Sequence, residues 1–383
     1  MAAGVRVGVI GGGQLARMMV PPAVALGIDI RVLAESEGMS AAIAATATGD
    51  YRDAETVLAF AREVDVITFD HEHVPQPVLR RLVEAGVRVH PGPHALEVAQ
   101  DKLVMRERLT ELGAPVPEWA AVRDRAELDD FLAAHGGAAV VKTPRGGYDG
   151  KGVRVVRSSD AVDDWFAGVD EHASGGALLV EELVDFDREL AQLVARRPSG
   201  ETATWVLAET IQRDGVCAEV TAPAPGADDA LVESARELGL RIAEGLDVTG
   251  VLAVELFQTR DGRLLVNELA MRPHNSGHWT IDGALTSQFE QHLRAVADLP
   301  LGSTDAIADT SVMVNVLGGP SSGSMLDRYA EALAAHPETK FHSYGKQSRP
   351  GRKVGHVTAI SAPGETGEAT QARARAAGAF FDA

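Results

Sequence analysis

Several things are scarce in this sequence, and each scarcity excludes something. A single cysteine, Cys217, stands among 383 residues, so no internal disulfide can form and a reducing, cytoplasmic setting is expected. No apolar run reaches the ~18 residues of a membrane-spanning helix, and no basic-apolar-small leader is evident, which also points to the cytoplasm. Positive charge is short as well. Lys and Arg total 36 against 55 Asp and Glu, a formal net charge of −19, which argues against nucleic acid and anionic membrane surfaces as partners. A small anionic substrate in a local basic pocket stays allowed. Lysine is the rarest cation: only residues 102, 142, 151, 340, 346 and 353 are lysine. With arginine as the default, a retained lysine marks a place where a compact ammonium is wanted.

What is present is ordinary in bulk, 45% hydrophobic and 24% charged, and the length allows two or three domains. The first ~95 residues alternate short β runs ("VRVGVI", "IDIRVL", "VDVITF", "VRVHP") with helical stretches. That alternation predicts a parallel sheet with helices on its faces. Within it, "VGVIGGGQLARMM" carries Gly11, Gly13 and Ala16 in the G-x-G-x-x-A form, and Glu35 ends the next apolar run. An NAD site is one reading of this pattern. A helix is expected from Ala95 to Leu112, stopped by Gly113 and prolines 115 and 117. "GAAVVKTPRGGYDGKGVRVV" reads as a hairpin, "GALLVEELV" as a strand, and Asp228 to Gly245 as a helix. "VTGVLAVELFQTRDGRLLVNELA" reads as a second hairpin with Asp261-Gly262 as a two-residue turn. From about Pro300 a smaller closing unit follows.

That second hairpin yields geometry. A two-residue turn pairs Arg260 with Arg263 and, counting back, sets Glu255 opposite Glu268. Opposed side chains lie about 5 Å apart, where like charges repel. Such a pair needs a shared proton or a cation, and a hard dication such as Mg²⁺ on nucleotide phosphates suits it; two surface glutamates on an amphipathic hairpin is the plainer reading. "GGYDGKG", 146 to 152, has the glycines to bring backbone amides onto a phosphate, with Lys142 before it and Lys151 within. It could equally be a flexible loop. "NELAMRPHNSGHW" gathers Arg272, His274, Asn275 and His278 just beyond Glu268. His274 and His278 have the spacing of zinc ligands on a helix, but proline and glycine oppose a helix and no third ligand is evident. "SRPGRKVGH" packs Arg349, Arg352 and Lys353 around a glycine, a phosphate pocket or a solvated basic turn.

Together these stretches resemble the ATP-grasp superfamily and, within it, the 5-(carboxyamino)imidazole ribonucleotide synthases of purine biosynthesis. The likeness runs from about Val7 to Ile360 and is most specific in "RGGYDGKG", in "NELAMRPHNSGHWT" with "SQFEQHLRA" behind it, and in "RPGRKVGH". It implies a mixed α/β and α+β chain: a Rossmann-like N-terminal domain (residues 1–100), an ATP-grasp domain (101–300, lid about 115–185) and a small C-terminal domain (301–383). It further implies ATP and Mg²⁺ (or Mn²⁺) as cofactors, aminoimidazole ribonucleotide and bicarbonate as substrates, and a homodimer.

Roles follow from the same resemblance. Lys102 and Lys142 would contact ATP phosphates, and Gly147, Tyr148, Asp149, Gly150, Lys151, Gly152 and Val153 would close over them. Glu181, Glu182, Leu183 and Val184 would form the adenine hinge, Glu189 would take the ribose and Gln212 would lie close by. Glu255 and Glu268 would hold the metal, with Asn267 beside the nucleotide. Arg272, His274 and Asn275 would serve the bicarbonate and the carboxyphosphate made from it. Gln14, Glu72, Arg349, Arg352 and Lys353 would bind the ribonucleotide, which the N-terminal glycine turn and helix end would face in place of a dinucleotide. Two departures stand out: Gln212 where the family often has histidine, and His71-Glu72-His73 where Phe-Glu-Asn is commoner.

Overall fold

The computed structural model describes residues 4–146, 152–168, 176–213, 215–318 and 323–381. Among these the strands form three sheets. The first is parallel, in the order Ala45–Thr48, Asp29–Ala34, Arg6–Ile10, Val66–Phe69, as βαβ alternation requires. Its edge strand, "ATAT", is alanine- and threonine-rich and has no apolar signal. The run "VRVHP" makes only an isolated bridge, Val89 to Ile67. Gly11, with φ of +106°, turns the first strand into the helix Gln14–Leu26.

The expected helix 95–112 is two helices, Pro93–Gln100 and Lys102–Glu111. Asp101 breaks them: its backbone is extended, and its carboxylate accepts from the amides of Leu103 (3.0 Å) and Val104 (3.3 Å), capping the second helix. The new axis places Lys102 and Arg106, one turn apart, on the same face.

The glycine-loop hairpin forms as read, Ala139–Lys142 against Val153–Val156. It joins Leu178–Glu182 and Trp119–Val122 in a four-stranded antiparallel sheet. Residues 147–151, the centre of the expected lid, lie outside the described residues.

The third sheet runs Leu264–Ala270, Gly250–Thr259, Phe186–Arg196, Ala208–Arg213, Val216–Ala222, Ser311–Leu317, Lys353–Ile360, Thr339–Ser343. The closing segment therefore extends the central sheet, with Ser311–Leu317 pairing directly on Val216–Ala222. Glu255 does stand opposite Glu268, but by another route than the one inferred from the turn. The loop has three residues, since Thr259 bonds to Arg263, with Gly262 at φ of +86°. Leu256 then pairs with Val266, and a bulge at Asn267 restores the register by one residue at Glu255. One continuous apolar core links the parallel sheet to the central one, through Ile67, Phe69, Leu82, Leu109, Leu190 and Leu252.

Candidate active site

A cleft of about 1700 Å³ opens where the three sheets meet. One end is apolar: Val155, Leu183 and Phe186 are exposed there, and Phe186 stacks on Phe257 at 4.6 Å. Large apolar side chains left open in a cleft offer a slot for a flat ring. Glu189, paired across the strands with Phe257, stands beside it. Burial pushes its carboxyl up to about 7, countered only by a hydrogen bond from Gln212.

The middle holds a network of opposite charges. Lys142 Nζ lies 2.6 Å from Glu181 Oε2 and 3.4 Å from Asn267 Oδ1, and Lys102 is paired with Glu268. Arg106, fully buried, bonds both Glu181 and the Asn267 carbonyl, the latter at 2.6 Å. Glu181 thus joins Arg106 to Lys142, and the two positive charges hold it below the usual carboxylate range against its burial. The two opposed glutamates behave differently. Burial and the charge of Glu268 push Glu255 up to about 8. Enclosure alone would raise Glu268 too, but Lys102 and Lys142 hold it down to about 2.

Beyond the glutamates lies the cationic end. Arg272 Nε donates to Glu72 Oε2 at 2.8 Å, joining the central sheet to the N-terminal one. His274 Nδ1 accepts from the Ser276 amide (3.3 Å), so its proton sits on Nε2, 3.4 Å from Glu255 Oε1. Burial and the charge of Arg272 push the imidazole down to about 3, which keeps it neutral. Lys353 lines the cleft with Arg349 and Arg352, and its charge acts on Glu255, His274 and His278. Gln14 is bonded by Lys346.

Every described residue to which the resemblance gave a role lines this cleft except Gly152, whose carbonyl accepts from the Thr143 amide; of the dinucleotide pattern, Gly13 lines it and Gly11, Ala16 and Glu35 do not. The helix end behind Gly13 is less open than expected. Glu35 folds back to accept from the Gly12 amide at 2.9 Å, and Asp70 accepts from Ala16 at 2.7 Å. Two carboxylates of the protein thus occupy donors that a dinucleotide phosphate would need. Sequence reasoning missed Arg106, Asp70, Lys346 and Gln288. For Arg106 the available signal was its i, i+4 spacing from Lys102.

Comparisons with known proteins agree with this architecture. Family models match three consecutive stretches: a ribonucleotide synthetase preATP-grasp domain (residues 5–100), an ATP-grasp domain (107–289) and a phosphoribosylaminoimidazole carboxylase C-terminal domain (311–370). The N5-carboxyaminoimidazole ribonucleotide synthase of Mycobacterium tuberculosis strain H37Rv is 53% identical over 355 residues, covering 92% of this chain and 82% of its own. That of Corynebacterium ammoniagenes is 49% identical over 382 residues, covering 98% and 91%. The crystal structure of N5-carboxyaminoimidazole synthase from Aspergillus clavatus, in complex with ADP and 5-aminoimidazole ribonucleotide, has a TM-score of 0.87 at 31% identity, covering 100% of each chain. Fold and sequence together define an ATP-grasp carbon–nitrogen ligase. Within that class, the chain belongs to the N5-carboxyaminoimidazole ribonucleotide synthase family.

Proposed function

We propose that the chain carries out its family's reaction in this cleft: ATP and bicarbonate carboxylate the exocyclic amine of 5-aminoimidazole ribonucleotide, giving the N-carboxy product, ADP and phosphate. The observation that carries the reading is the opposed pair Glu255 and Glu268, set between an apolar slot and a cationic pocket. Adenine enters the slot against Leu183 and Val184, and Glu189 takes the ribose hydroxyls. Lys102 and Lys142 bind the phosphates. Carboxyphosphate is labile in water, so the reaction needs this part of the cleft closed to solvent while it forms.

The pair fits a hard dication, because two like carboxylates so close resist ionising together and a divalent charge between them removes the conflict. Magnesium, or manganese, bound there with the nucleotide would neutralise charge on the transferring phosphoryl group. Around it the protein's own groups position the reactants. Arg272, held by Glu72, and the amide of Asn275 orient bicarbonate for attack on the γ-phosphorus. His274 presents its Nε2–H to the same corner. Arg349, Arg352 and Lys353 hold the ribonucleotide's phosphate, with Gln14 and Glu72 on the opposite wall, so that its amine meets the activated carboxyl carbon. The family suggests that two such chains form a homodimer in the cytoplasm, and among the described residues no helix is long and apolar enough to cross a membrane.

ADP release with bicarbonate and aminoimidazole ribonucleotide omitted in turn tests the reading. Full turnover should need both. ADP release indifferent to the ribonucleotide, at all concentrations, would remove it as the acceptor.

A further inference from the structure

The segment "SQFEQHLRA" is the cap and all but the last residue of a helix, Gln288–Val296, capped by Ser287. Three of its polar side chains are fully buried, and each grips a different part of the molecule. Gln291 takes both the N–H and the C=O of Gly302, at 2.8 and 2.7 Å. His292 accepts from the Val251 amide at 3.0 Å and bonds Thr68 Oγ1 at 2.7 Å, tying the central sheet to the parallel one.

Gln288 grips the reactive loop. Its Oε1 accepts from the His274 amide at 2.8 Å, and its Nε2 donates to the His274 carbonyl at 2.7 Å and to His278 Nδ1 at 2.9 Å. Those contacts also fix which way the amide points, since only oxygen can receive an N–H and only nitrogen can reach a C=O. One acceptor and two donors in one plane are what a side-chain amide supplies and what no other side chain of this length can. The main-chain N–H of Gln288 bonds Thr280 Oγ1 (2.9 Å), which in turn bonds the Gly277 carbonyl (2.6 Å). A Cβ on Gly277 would stand 2.4 Å from Gln288 Oε1, so the loop closes onto this side chain with no room to spare.

We propose that Gln288 is a positioning residue for the carboxylation: by holding both main-chain polar groups of His274, it aims that imidazole's Nε2–H at Glu255. The proposal rests on the reading that His274 serves the reaction. Gln288 does not line the cleft, whereas His274 does, so its effect on the reaction runs through His274. A misplacement of about 1 Å at a reacting group costs as much as a hundredfold in rate.

The test compares Gln288→Met, Gln288→Glu, His274→Ala and the double variant His274→Ala/Gln288→Met, by kcat, by KM for ATP and by thermal melting. Gln288→Met should lower kcat roughly 10- to 100-fold with KM for ATP unchanged. The double variant should be no slower than His274→Ala alone, because residues acting as one unit are not additive. Gln288→Glu keeps two of the three contacts when protonated, so its kcat should lie between the others and fall as rising pH ionises it. Multiplicative losses in the double variant, or an equal loss in ATP binding, would overturn the proposal. Wild-type kcat in Gln288→Met beside an impaired His274→Ala would overturn it alone. A fully active His274→Ala would instead overturn the reading of the site, and the proposal with it. Should Gln288→Met not fold, the same coupling measured with Gln288→Glu decides.

Discussion

Glu255 and Glu268 stand opposite one another on neighbouring strands, yet their acidities lie far apart, at about 8 and about 2. The cause is the company each keeps. Lys102 and Lys142 attend Glu268, whereas Glu255 has burial and its neighbour's charge to contend with, relieved in part by Lys353 and Lys102. In the free protein Glu268 is therefore the charged member of the pair.

Replacing either by Gln should abolish ATP turnover at ordinary Mg²⁺, but the two variants should differ in stability. Glu268→Gln strands the ammonium of Lys102, which is only 10% exposed. It should cost about 1 kcal/mol, a low figure because Glu268 itself is half open to the cleft. Glu255→Gln exchanges a buried and largely protonated carboxyl for a neutral amide of the same shape and should be close to neutral. Urea denaturation beside an ADP-release assay separates the two. Near-normal turnover in Glu268→Gln would end the argument for a metal held by this hairpin.

The βαβ alternation, the two hairpins and the polar residues around Glu268 were legible because each is a local pattern. What escaped is non-local. The bulge at Asn267 leaves no mark on the alternation, and a misjudged turn and an unseen bulge happened to offset one another at Glu255. The helix break at Asp101 is masked by apolar periodicity that continues on both sides. Arg106 is buried because Glu181, 75 residues away, comes to meet it, and nothing near Arg106 announces that partner. Gln288 is the same case: its meaning lies in the main chain of His274.

Lys353 begins a central strand and its charge reaches both Glu255 and His274. Lys353→Ala should raise KM for the ribonucleotide about tenfold or more, the worth of a hydrogen bond to a charged group, with KM for ATP little changed. Steady-state kinetics with each substrate varied checks this. An equal rise for ATP would take Lys353 out of the acceptor pocket.

Outside the lining of the cleft, Arg375 on the helix Gly367–Ala379 makes a bidentate pair with Glu219, at 2.7 and 2.9 Å. Glu219 lies on the central sheet and is 1% exposed. Arg375→Met leaves that carboxylate enclosed without its counterion, a loss of roughly 2–4 kcal/mol. Adding Glu219→Gln should recover much of it. Chemical denaturation of the single and double variants measures both effects, and kcat should stay at the wild-type value in each. An additive loss in the double variant would show that the pair is not what binds this helix to the sheet.

The G-x-G-x-x-A turn of the N-terminal domain is closed by its own carboxylates. Glu35 sits on the Gly12 amide and 3.3 Å from His71 Nε2. Burial would raise its pKa, but those two partners bring it down to about 2 from an ordinary 4.5. A group whose folded pKa is depressed stabilises above its unfolded pKa and loses that contribution as pH falls through the folded one. Glu35→Gln should therefore melt below the wild type at pH 7, and the gap should close between about pH 4.5 and pH 2. Ligase activity per folded molecule should be nearly unchanged. NADH should not bind at millimolar concentration, because the ribose acid and an amide of the phosphate turn already satisfy each other. Micromolar NADH binding that disappears in Glu35→Ala would mean that this contact opens for a dinucleotide, and a melting gap that widened toward acid would place the depressed pKa elsewhere.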